Sequence, residues 1–163
     1  MGLETVLTAP PVSIFLCPEA SLLDQVAALE KAAPGRTVAR IVRGYKSKTK
    51  PELMTEIGAA LQFPHRFGEN WDALVDATSD RSWGGVESSI VVVSRAVDLL
   101  SKEPASELKT FIEVMQTVAE RLSRGGHSDK RTFKCVLHAT RETSPLLENR
   151  LKEARVSLNS KAK

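Results

Sequence analysis

Ser88-Ser-Ile-Val-Val-Val-Ser94 is unbroken by any polar residue between its serines, and that pattern belongs to a strand covered on both faces, as in a parallel sheet. A sheet of that kind needs helices between its strands, and the flanking sequence supplies them. Downstream, Leu108, Phe111, Ile112, Met115, Val118, Ala119 and Leu122 recur at helical spacing, with Gly125-Gly126 as the stop. Thr132 to His138 follows as a strand, its alternation of Phe133, Cys135 and Leu137 with Lys134, Val136 and His138 predicting a place near the sheet edge. Upstream, Val38 to Val42 reads as a strand, and Thr49-Lys-Pro-Glu52 as a capping box opening a helix that buries Leu53, Ile57 and Leu61 and ends at Pro64. Further back, Val12-Ser-Ile-Phe-Leu-Cys17 reads as a strand. Leu22, Leu23, Val26 and Leu29 mark a helix after it, halted by Ala33-Pro34-Gly35. The expectation is one α/β domain with a small parallel sheet of three or four strands and crossover helices.

The composition fits a globular chain. Its 163 residues are 42% hydrophobic and 26% charged, enough for one domain with its own core. With five Phe, two Trp and one Tyr, that core must rest on aliphatic side chains. No apolar run approaches the length of a bilayer span. The opening residues show neither a basic n-region nor a myristoylation pattern, so a cytoplasmic location is expected. Cys17 and Cys135 lie in apolar runs and read as buried free thiols. The formal charge is +3, but its distribution is uneven. Residues 64 to 103 hold seven acids against four bases, a balance of −3, leaving +6 for the rest.

The acidic balance centres on residues 63 to 83. Asn70 is a good N-cap for a helix running to about Ser79, and Gly68 before it suits a sharp turn. At about 100° per residue, Trp71, Leu74, Val75 and Thr78 share one side, and Asp72, Asp76, Ser79 and Asp80 another. Like charges four apart destabilise a helix by a few tenths of a kcal/mol. Only Asp72 recovers some of that, at the positive helix end. A plain solvated face would look the same, yet a stripe of one sign on a chain whose bases lie elsewhere points to a surface for a cationic partner.

Phe63-Pro64, followed by Phe67-Gly-Glu-Asn-Trp-Asp-Ala-Leu-Val-Asp76, resembles the signature of barstar and its relatives, the intracellular inhibitors of barnase-type ribonucleases. The order strand, helix, short acidic helix, strand, helix, strand from Val38 to Thr140 is similar as well. The resemblance implies a barstar-like domain over 37–140, with 1–36 as a strand-helix extension and 141–163 as a basic tail, partly helical or disordered. It further implies an inhibitor of antitoxin or immunity type that inserts the short helix and the preceding loop into a nuclease active site. Family contacts then fall on Gly68, Asn70, Trp71, Asp72, Val75, Asp76 and Ser79, with Trp83 near the end, and Arg66 and Asp80 adjoin them. The carboxylate of Asp76 would replace an RNA phosphate among the enzyme's basic groups. This requires Asp76 to face solvent rather than turn inward onto the chain's own arginines. The chain departs from the family at Arg66 and Val75, where aromatics are usual, and near Thr117, where a contact glutamate is usual and Glu113 or Glu120 could substitute.

Other readings compete. A barstar-fold module with a non-nuclease partner would use the same face. An enzyme holding Mg²⁺ through Glu69, Asp72, Asp76 and Asp80 would need ligands from several elements rather than one helix. Arg40, Arg43, Lys46, Lys48 and Lys50 could serve an RNA binder, although a solvated strand end and loop explains them better. His65, His127 and His138 are separated in sequence, with no Cys or His at ligand spacing, so neither metal nor cofactor is expected.

Overall fold

The computed structural model describes residues 2–64, 67–85, 87–125 and 130–158. His65, Arg66, Gly126 and His127 lie outside that set. Four strands, β1 (Val12–Leu16), β2 (Thr37–Arg43), β3 (Ser88–Ser94) and β4 (Thr132–Ala139), form one parallel sheet in the order β1-β4-β3-β2. The apolar run of β3 is paired on both sides, Val91 with Arg40 and with Cys135, and is buried along nearly its whole length. The first strand joins the same sheet, Val12 opposite Cys135 and Ile14 opposite Leu137.

That pairing corrects the reading of β4. It is an interior strand rather than a near-edge one, because β1 occupies its other side. The alternating polar residues that suggested an edge are accommodated inside. His138 is fully buried, its Nδ1 accepting from the Arg95 N–H at 3.3 Å and its Nε2 lying 3.0 Å from the Cys17 carbonyl. The first contact leaves the proton on Nε2, which donates to Cys17. Burial holds this imidazole below its ordinary pKa.

The strand period of two sends side chains to two cores. Val12, Ile14, Val42, Val91, Val93, Phe133, Cys135 and Leu137 face one side. Covering them are α2 (Lys50–Ala60), α3 (Trp71–Ser79), α4 (Ala105–Ser123) and α5 (Ser144–Glu153). Phe15, Ala39, Ile90, Val92 and Val136 face the other, beneath α1 (Glu19–Ala32) and a 3₁₀ turn at Leu3–Thr8. Helix α1 buries Leu22, Val26 and Leu29, but Leu23 is 69% exposed, so its apolar stripe is narrower than the sequence suggested. In α4 all seven predicted positions are buried. Both cysteines are buried free thiols.

Helix α2 carries the predicted capping box. The Glu52 N–H donates to Thr49 Oγ1 and the Thr49 N–H to Glu52 Oε2, at 3.3 and 3.1 Å. Its end is not at Pro64 but at Ala60. Gln62 adopts φ 56°, the Phe63 N–H bonds the Gly58 carbonyl and the Gln62 N–H the Ala59 carbonyl. This is a Schellman closure with glutamine in the left-handed position. The weak pattern after Glu142 resolves into α5, which buries Leu147 and Leu151 and closes the same way at Arg155. Among the described residues, no helix is long and apolar enough to cross a membrane.

Candidate functional site

The loop into α3 is short and pinned. Phe63 and Phe67 pack with ring centroids 5.0 Å apart and reach the core beside α2. The sharp turn is made by Glu69, at φ 49°, rather than by Gly68 as the sequence suggested. The glycine serves a different need: a Cβ there would lie 3.2 Å from the Ala73 Cβ, so its absence lets the loop press against the first turn of α3. Asn70 then caps the helix as predicted. Its Oδ1 accepts from the Ala73 N–H at 2.8 Å, while its Nδ2 donates to the Gly68 carbonyl at 3.1 Å.

The inner side of α3 is sealed. Leu74 and Thr78 are fully buried, and Trp71 and Val75 are half-buried against the core. Trp71 is held as well as packed. Its indole N–H donates to Glu107 Oε2 of α4 at 3.0 Å, and Lys50 Nζ sits 5.1 Å from its ring centre. Beyond the helix, the Trp83 indole N–H donates to the Thr78 carbonyl at 2.8 Å and its ring meets Phe133 edge-on at 6.4 Å. Arg131 of the β4 approach donates to the Arg81 carbonyl at 2.7 Å. Helix α3 is thus tied at both ends to the elements beneath it.

The outer side carries the acids, in three different states. Asp72 is exposed and makes no hydrogen bond or ion pair among the described residues. Asp76 has a side chain 75% exposed, yet Oδ1 accepts from Arg121 Nη1 of α4 at 2.8 Å. The requirement drawn from the sequence is therefore met in one part and not in the other. The carboxylate faces solvent, but one of the chain's own arginines touches it. Asp80 closes the helix, accepting from the Ser82 N–H at 2.8 Å, and hydrogen bonds from Ser82 hold its carboxyl below its ordinary pKa. Ser79 is half-buried, and its Oγ has no hydrogen-bond partner among the described residues.

The structure thus gathers Gly68, Asn70, Trp71, Asp72, Val75, Asp76, Ser79, Asp80 and Trp83 on and around α3, while Arg66 lies outside the described residues. On α4, Thr117 turns its hydroxyl back to the Glu113 carbonyl, and Glu113 and Glu120 are exposed beside Lys109 and Arg124 of their own helix. Sequence reasoning missed Glu107 and Arg121, which flank the buried stripe of α4. The basic stretch from Arg40 to Lys50 is partly spent internally: Arg40 pairs with Glu30 and Arg43 grips Glu56 through two nitrogens. That guanidinium holds the Glu56 carboxyl below its ordinary pKa. Among the described residues, no three His, Cys, Asp or Glu side chains converge as metal ligands would.

No curated protein matches this sequence. Among solved structures, a chain in the structure of Drosophila ORC bound to GC-rich DNA and Cdc6 superposes with a TM-score of 0.42 at 13% identity, over 95% of this chain and 50% of that one. This chain thus spans about half of that one, and so loose a likeness carries no argument. The family profile described as Barstar (barnase inhibitor) matches residues 37–138. That span runs from the start of β2 almost to the end of β4 and contains all of α3. The chain belongs to the barstar family.

Proposed function

We propose that this protein inhibits a barnase-type ribonuclease by docking α3 and its preceding loop into the enzyme's active site, as a cytoplasmic antitoxin or immunity protein does. The observation that carries this reading is the Asp76 carboxylate, 75% exposed at the middle of a helix whose other face is locked into the core. Nuclease groups that hold a scissile phosphate are cationic donors, and they accept a carboxylate through charge-assisted hydrogen bonds. Asp72, one turn earlier and about 6 Å along the axis, adds a second anion. Asn70 and Gly68 fix the loop, and the accessible parts of Trp71, Val75, Ser79, Asp80 and Trp83 complete the contact.

The test is RNA cleavage by a purified barnase-type ribonuclease titrated with this chain. Cleavage should fall in proportion to added protein and recover partly at high salt, since opposed charge drives the encounter. Undiminished cleavage at molar excess would refute the proposal. One observation favours a second reading, a non-nuclease partner at the same face: Arg121 places a positive charge where a uniformly basic active site would dock. No binding of the ribonuclease, together with capture of a non-nuclease protein through the same face that is lost in Asp76→Ala, would support that reading.

A further inference from the structure

Arg121 stands where an incoming cation would. It reaches from α4 to α3 and touches Asp76 through one nitrogen on one oxygen, at 2.8 Å, with side chains 50% and 75% exposed. This is not the two-pronged grip of which arginine is capable. Arg43 shows that grip on Glu56, through Nε at 2.7 Å and Nη2 at 3.0 Å. Asp76 Oδ2 has no hydrogen bond among the described residues. Arg124, one turn further along α4, is drawn back to Glu120 of the same helix at 3.7 Å. Of the three acids on the outer side of α3, only the middle one has a resident cation among the described residues.

We propose that Arg121 is a specificity-determining residue, a built-in counter-ion on Asp76 that a partner's cation must displace. The inference rests on the reading of Asp76 as the anionic anchor of the face. An exposed pair with a single contact is weak, so the guanidinium yields to a well-placed competitor. Its charge nevertheless stays within the docking area after displacement, and like charges brought together there reduce affinity. The face therefore admits a cation aimed at Asp76 and discriminates against diffuse positive charge, which a bare acidic stripe would attract. Arg121 does not touch the core: its neighbours Leu122 and Val118 are buried, while it projects outward. Neutralising it leaves the fold in place.

The experiment uses the full chain, hexa-arginine peptide as a uniformly cationic probe, and calorimetry at low ionic strength, with a barnase-type ribonuclease in a parallel arm. Arg121→Gln should bind the peptide about threefold or more tightly than the unaltered chain, the order of an exposed ion pair. Arg121→Lys should stay at the original affinity, and the gain should vanish when Asp76→Ala is added. Equal or weaker peptide binding by Arg121→Gln would overturn the proposal. So would a gain that survives Asp76→Ala, since that reports only net charge, or peptide binding by none of the proteins. If the ribonuclease arm shows no binding while the peptide arm behaves as expected, the inhibitor reading fails and the counter-ion role stands.

Discussion

The two sides of α3 use one helix for opposite ends. Toward the core, Leu74 and Thr78 are fully buried and the two flanking tryptophans donate their indole protons within the chain, Trp71 to Glu107 and Trp83 to Thr78. Toward solvent, Asp72, Asp76 and Asp80 are exposed and set out along the axis at the cost of mutual repulsion. The contrast teaches that the stability of this short helix comes from packing and capping rather than from its own charge pattern. Nine residues are too few to hold a helix in isolation. The outer side is thereby left available for binding, and substitutions on the two sides should separate cleanly into effects on folding and effects on association.

The contrast breaks most severely at Leu74. Leu74→Ala should lower unfolding free energy by about 2–5 kcal/mol in urea denaturation, whereas an exposed residue such as Asp72 should tolerate alanine within about 0.5 kcal/mol. Comparable losses at both would mean the helix is not held by its inner side. A smaller effect tests the cap: Asn70→Ala removes the acceptor of the Ala73 N–H and should cost about 1 kcal/mol. Asn70→Gly should cost only a few tenths, and amide exchange in the first turn of α3 should report the difference.

The smallest effect lies across the sheet, at His138, a polar side chain that is sealed like Leu74 rather than exposed like Asp76. Its folded pKa is depressed by burial, so between that value and about 6.5 the unfolded chain binds more protons than the folded one. Its contribution is fully present above about pH 7 and is lost as pH falls through that window. A His138→Gln variant should show a shallower decline in melting temperature from pH 7.5 to 5.5 than the parent; an equal or steeper decline would remove His138 as the source.

Much of this was legible in the sequence because it is local. The cap at Asn70, the 3.6-residue spacing of Trp71, Leu74, Val75 and Thr78, and the unbroken apolar run of β3 each fix an element through neighbouring residues. What escaped was non-local or atypical. Arg121 meets Asp76 across 45 residues, and although its place on the flank of the α4 stripe could be read, which flank meets α3 could not. His138 suggested an edge because a buried histidine looks polar until its two partners, Arg95 and Cys17, are brought up by tertiary packing. Glu69 and Gln62 take left-handed backbone that glycine ordinarily fills, and with Gly68 beside Glu69 nothing in the pattern pointed to the charged residue.

The proposed inhibition turns on the Asp76 carboxylate as the group a ribonuclease binds, presented by a helix that does not need it for folding. Measuring inhibition constant and urea stability on the same preparation of Asp76→Ala tests both halves together. Inhibition should weaken about 30-fold or more, the loss of a desolvated charged contact, with stability within about 1 kcal/mol of the parent, the upper worth of an exposed pair with Arg121. A folded Asp76→Ala protein that inhibits as well as the parent would contradict the proposal.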